Sequence, residues 1–194
     1  MENNEFEQVH IVAYGLSALI EKAINKLQAI LAFGENYPQR IELETNNDWY
    51  ALSYSILLES LVLDIASLLD KAKYYSKNSI EINCNFKELK LILKKCSEKA
   101  KRYQSIILRI DKMLNKYNDL VPDVLRNKRI AHKDLKEVFS WKEYNVNLIE
   151  INRFLVEGDI ILSEVFELAV GPRLELVDFD SIKKKYENSL KLPL

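Results

Sequence analysis

A chain of 194 residues suits one domain with a substantial core, or one domain with an appended tail. Lys+Arg 28 against Asp+Glu 29 gives a net charge of −1, which weighs against a dedicated nucleic-acid coat protein but leaves room for a local basic site. With only 4 Gly and 4 Pro the chain lacks the frequent turns of an all-β protein, and long helices are the expectation.

The first helix is predicted from about Glu5 to Phe33. Phe6, Val9, Ala13, Leu16, Ile20, Ala23, Leu27 and Ile30 step by alternating threes and fours, the seam of a helical bundle. Gly34, then Asn36-Tyr37-Pro38, is the expected stop. A second helix is predicted from about Asn47 to Tyr75. Leu57, Leu58, Leu61, Val62, Ile65, Leu68 and Leu69 fill a broad apolar arc, with Ser53, Ser60, Asp64, Ser67 and Lys71 opposite. So apolar a helix implies a central position.

Residues 76–85 read as a polar connection. The third helix is predicted without a break from Phe86 to Tyr117. Its seam is Phe86, Leu89, Leu93, Cys96, Ala100, Tyr103, Ile107, Ile110, Leu114 and Tyr117, on a rod of about 48 Å. Pro122 suits the first turn of a fourth helix, expected over 122–139. A fifth is expected over 146–170, ended by Gly171-Pro172, and a tail from Arg173 offers a short basic helix over about 180–190. The expected fold is therefore all-α, an antiparallel bundle of four to five long helices in residues 1–170 with a tail in 171–194.

Few groups are available for chemistry. His10 and His132 are the only histidines, and Cys84 and Cys96 the only cysteines, with no metal-ligand spacing among them. Neither a metal nor a cofactor is therefore expected. The glycines are isolated, so no glycine-rich phosphate loop exists. Reduced thiols, no signal peptide and no apolar run of membrane-spanning length imply a cytoplasmic protein with no membrane partner. Glu59, Asp64 and Asp70 could be paired acid/base groups, but carboxylates on such a helix more often partner lysine or arginine. The lysines at 87, 90, 94, 95, 99 and 101, with Arg102, read as a solvated face that could also meet an RNA backbone.

One run concentrates chemistry: Leu125-Arg126-Asn127-Lys128-Arg129-Ile130-Ala131-His132-Lys133-Asp134. An arginine that can grip phosphate and a histidine that moves protons near neutral pH suffice for metal-free RNA cleavage. On an ideal helix His132 falls in the arc of Val121, Val124, Leu125, Ala131, Leu135, Val138 and Phe139. Arg126, Arg129 and Lys133 lie on the far side, and Arg126 points about 120° from His132 by the helical period. They could converge through the long arginine stem, a helix irregularity, or a second copy of the chain. The alternative is a core or interface histidine beside a solvated basic face.

An α-helical chain whose late helix carries Arg-Asn-x-x-x-Ala-His resembles the HEPN superfamily, particularly its bacterial abortive-infection branch. Leu68-Leu69-Asp70 at the end of helix two is similar to patterns in that branch. The resemblance implies a metal-independent endoribonuclease of the toxin or phage-defence kind, working as a homodimer on an RNA substrate. The resemblance makes Arg126 and His132 the catalytic pair and Asn127 their supporting residue; the basic Arg129 and Lys133 beside them are expected, from their own charge, to contact RNA. Arg129 stands where an aromatic is frequent in the family. Asp134 replaces the tyrosine of those HEPN toxins that a partner nucleotidyltransferase modifies. A non-catalytic helical module, antitoxin-like or scaffolding, is the rival expectation, because three long seams organise more apolar surface than a catalyst requires.

Overall fold

A computed structural model of the chain describes residues 2–41, 47–69, 73–76, 79–82, 84–96, 100–121 and 146–170. Helices α1 (Glu2–Ile41), α2 (Asn47–Leu69), α3 (Phe86–Lys95), α4 (Ala100–Lys116) and α5 (Leu148–Val165) dominate it. A π-helical turn, Phe166–Val170, continues α5. Strands β1 (Lys73–Ser76) and β2 (Ser79–Ile82) form the one sheet among the described residues. The fold is the expected all-α bundle with this hairpin added.

The seam of α1 is realised in full across its described side chains: Val9, Ala13, Leu16, Ile20, Ala23, Leu27 and Ile30 are all 0% exposed. Each such leucine or isoleucine contributes about 1.5–3 kcal/mol by leaving water. Among the described residues α1, not α2, is the hub, since it packs on α2, α3, α5 and the π turn. The described neighbours of α2 are α1 and α3. Overall apolarity marks a helix as well buried; it does not say how many neighbours share the burial.

Three boundaries also move. Helix α1 runs on through Gly34 and Pro38 to Ile41. Glycine and proline subtract about 1 and 3 kcal/mol from a helix interior, local penalties that a helix with so long a buried seam can carry. Helix α2 ends at Leu69, because Lys73-Tyr74-Tyr75 and Ile80-Glu81-Ile82 take extended backbone instead. Aromatic and β-branched residues suit a ladder. The antiparallel register pairs Tyr75 with Ile80 and Ser76 with Ser79.

The third correction matters most. The helix stops at Lys95, where Cys96 leaves helical geometry at φ −66 and ψ 79 while its amide still donates to the Ile92 carbonyl. Lys90 Nζ then meets Asp111 Oδ1 at 2.6 Å. On one continuous rod, with |i−j|=21, those residues would stand about 32 Å apart. Helices α3 and α4 therefore fold back on one another. The seam survives the bend: Phe86, Leu89, Leu93, Cys96, Tyr103, Ile107, Ile110, Leu114 and Tyr117 are all buried.

Ion pairs fix the remaining register. Lys26 of α1 reaches Asp64 of α2, and Arg109 and Lys116 of α4 reach Glu164 and Glu157 of α5. Rising numbers in α4 meet falling numbers in α5, so that pair is antiparallel. At its core end the Phe154 ring packs edge-on against Tyr117 at 5.4 Å and Phe86 at 6.1 Å. The predicted fourth helix (122–139) and the tail (171–194) lie outside the described residues.

Candidate functional site

Arg126, Asn127, Arg129, His132 and Lys133 all lie outside the described residues. What the structure defines is the frame that holds both ends of their segment. On the near side, Tyr117 is 3% exposed and Val121 8%, so the chain leaves α4 from a packed position. On the far side, Asn147 caps α5. Its Oδ1 accepts from the Ile149 and Glu150 amides at 3.1 and 3.2 Å, satisfying donors that a helix start leaves open. Because α4 and α5 are antiparallel, both anchors belong to the same end of the pair. Lys116 and Glu157 join the two helices there at 3.3 Å.

Two features of this end had weak or no sequence signal. Asn147 is legible as a helix-starting residue before an apolar run. The Tyr117 hydroxyl is not legible: it is buried with no hydrogen-bond partner among the described residues, as is Asn152 Oδ1 on α5. A buried polar group left so forfeits about 1–3 kcal/mol of solvation.

Other candidates resolve into structural roles. Asp64 is 8% exposed and takes Lys26, with Lys22 at 3.4 Å; Lys26 also donates to Ser60 Oγ at 2.5 Å. The lysine pairing expected for Asp64 is what the structure contains. Asp70 lies outside the described residues. Among the described residues no group of three His, Cys, Asp or Glu could hold a metal ion. Cys84 is a free thiol, and burial pushes its pKa up, which disfavours the reactive thiolate. Burial likewise raises the Tyr103 pKa, with Cys96 adding to it and Arg102 opposing. His10 stands beside Tyr14, ring centroids 6.4 Å apart. No helix among the described residues is long and apolar enough to cross a membrane.

Among the described residues, then, a seamed helical bundle brackets the Arg126–His132 segment between α4 and α5. Residues 6–186 match the family model for the HEPN family described as AbiU2. The chain belongs to that family and is a HEPN-type abortive-infection protein. No curated protein and no solved structure matches it.

Proposed function

We propose that this protein is a metal-independent endoribonuclease that acts in phage defence, with Arg126 and His132 as its catalytic pair. The observation that carries the reading is the family match across residues 6–186, which takes in the whole Arg126–His132 motif. His132 transfers a proton during attack of the RNA 2′-hydroxyl on the neighbouring phosphate. Arg126 stabilises charge growing on the phosphate oxygens, and Asn127 orients the phosphate or the arginine. Arg129 and Lys133 hold flanking RNA. The O2′–P bond forms as the P–O5′ bond breaks, a 2′,3′-cyclic phosphate remains, and the departing 5′-oxygen takes up one proton for the one His132 removed from the 2′-hydroxyl.

The enzyme works in the cytoplasm as a homodimer whose two motifs share one cleft. This removes the difficulty of the 120° divergence expected between Arg126 and His132 on a straight helix. One observation favours a second reading, that of an interaction module with an antitoxin or other protein. Ile149, Val156 and Ile160 are 66%, 36% and 48% exposed and fall on one side of α5 by the helical period. Such a stripe suits a partner protein or a second copy. Cleavage of total RNA in EDTA by wild type, His132→Ala and Arg126→Lys separates the two readings. Activity confined to wild type supports the nuclease; no cleavage by folded wild type supports the module.

A further inference from the structure

Charge is distributed very unevenly along this chain. Residues 86–117 contain ten Lys/Arg and three Asp/Glu, a net +7, which leaves −8 on the remainder of a chain whose total is −1. On one continuous helix this charge would be strung along about 48 Å. The fold-back after Lys95 gathers it into a helix pair no longer than about 26 Å, and closer cations of one sign raise the local potential.

The corner between α3 and α4 is the densest part. Lys94 and Lys95 occupy the last turn of α3, and Lys101 and Arg102 the start of α4. All four side chains are exposed, and none forms an ion pair with a described residue. Lys87 and Lys112, which also form no ion pair with a described residue, extend the charge along the two helices. By contrast Lys90, Arg109 and Lys116 are matched by Asp111, Glu164 and Glu157. The first turn of α4 has no acidic residue, so its cations add to the positive end of the helix dipole. That placement opposes helix stability and favours an anion.

We propose that the α3–α4 corner is a binding surface for the RNA backbone, separate from the Arg126/His132 motif. The inference rests on the ribonuclease reading and names where that enzyme grips the strand beyond the cleaved phosphate. An acidic protein partner fits less well. Stable protein contacts centre on buried aromatic or aliphatic anchors. The exposed large apolar side chains of these two helices, Leu91 and Leu108, lie outside the corner turns. Exposed cations without an apolar centre suit a phosphate chain, which they track without reading bases.

The test uses full-length His132→Ala, which holds RNA without cutting it, and a labelled single-stranded RNA across a salt series. The comparison protein adds Lys94→Gln, Lys95→Gln, Lys101→Gln and Arg102→Gln. All four positions are exposed, so its thermal melt should match the parent. The expected result is binding at least about tenfold weaker at low salt, with a log K against log salt slope shallower by about 3, at roughly 0.7 per phosphate contact. Equal affinity and slope in the two proteins overturn the proposal, as does a parent that binds no RNA, which would leave the corner to an acidic protein. Failure of the nuclease reading is seen separately, as a wild type that binds RNA through the corner and does not cleave it.

Discussion

Gly158 offers a sharp test of the packing between α1, α3 and α5. It is buried, and a Cβ there would lie 2.9 Å from Phe86 Cζ, 3.2 Å from Ile20 Cδ1 and 3.3 Å from Phe86 Cε2. Carbon contacts normally settle at about 3.5–4.0 Å, so the ring must withdraw by roughly 0.6–1 Å. Phe86 is 0% exposed and already edge-on against Phe154, which leaves little room. Overpacking of this kind destabilises by about 1–3 kcal/mol. Alanine meanwhile gains about 1 kcal/mol over glycine inside a helix. Gly158→Ala should therefore destabilise by about 1 kcal/mol net, a fall of roughly 2–4 °C in melting temperature for a chain of this size. Urea unfolding followed by circular dichroism measures it. The same change in a Phe86→Leu background should be milder, with a coupling of about 0.5 kcal/mol or more. If Gly158→Ala instead stabilises the wild type by about 1 kcal/mol, as at an uncrowded helical glycine, the close crossing is refuted.

Asp64→Ala should destabilise by about 3 kcal/mol, since it strands the largely buried Lys26 ammonium; denaturant unfolding checks this, and a loss under 1 kcal/mol would mean Lys26 simply reaches water. Asn147→Ala should remove about 1 kcal/mol by uncapping α5, measured in the same way, and no change would mean the cap is not formed in solution. Tyr117→Phe should be neutral or stabilising by up to about 1 kcal/mol, because it deletes a hydroxyl with no partner among the described residues; a clear loss in denaturant unfolding would contradict this. Cys84 should alkylate more slowly than a free thiol at mildly alkaline pH and catch up only at higher pH. Its pKa is raised by burial, so the thiolate appears later. A rate matching free cysteine throughout would contradict that burial.

Periodicity carried the seams of α1 and of residues 86–117 because burial acts directly on side-chain spacing. It could not reveal the bend at Cys96. The step from Leu93 through Cys96 and Ala100 to Tyr103 keeps the three-four rhythm, whether the backbone runs straight or reverses. The weak sign was Ser97, a residue type that starts helices. The hairpin is illegible for a related reason: Tyr74 and Tyr75 prolong the apolar pattern of α2, while the ladder depends on partners at Ile80 and Glu81. At the candidate site, residue type and order expose Arg126, Asn127 and His132, since the chemistry needs those groups. The anchoring frame depends on α4 and α5 meeting antiparallel, and no local pattern encodes that. The basic corner was visible as a row of lysines, but its density follows from the fold-back.

The most direct test of the central claim is cleavage of total RNA in EDTA by purified wild type, His132→Ala and Arg126→Lys, with equal folding verified by thermal melt. Wild type should generate 2′,3′-cyclic phosphate ends. His132→Ala should slow cleavage by about 10²–10⁴-fold through loss of proton transfer. Arg126→Lys should also be severely impaired, because a point charge cannot reproduce the bidentate hold of guanidinium on phosphate. Equal cleavage by all three proteins, or none by folded wild type, would contradict the assignment of Arg126 and His132 as the catalytic pair of a ribonuclease.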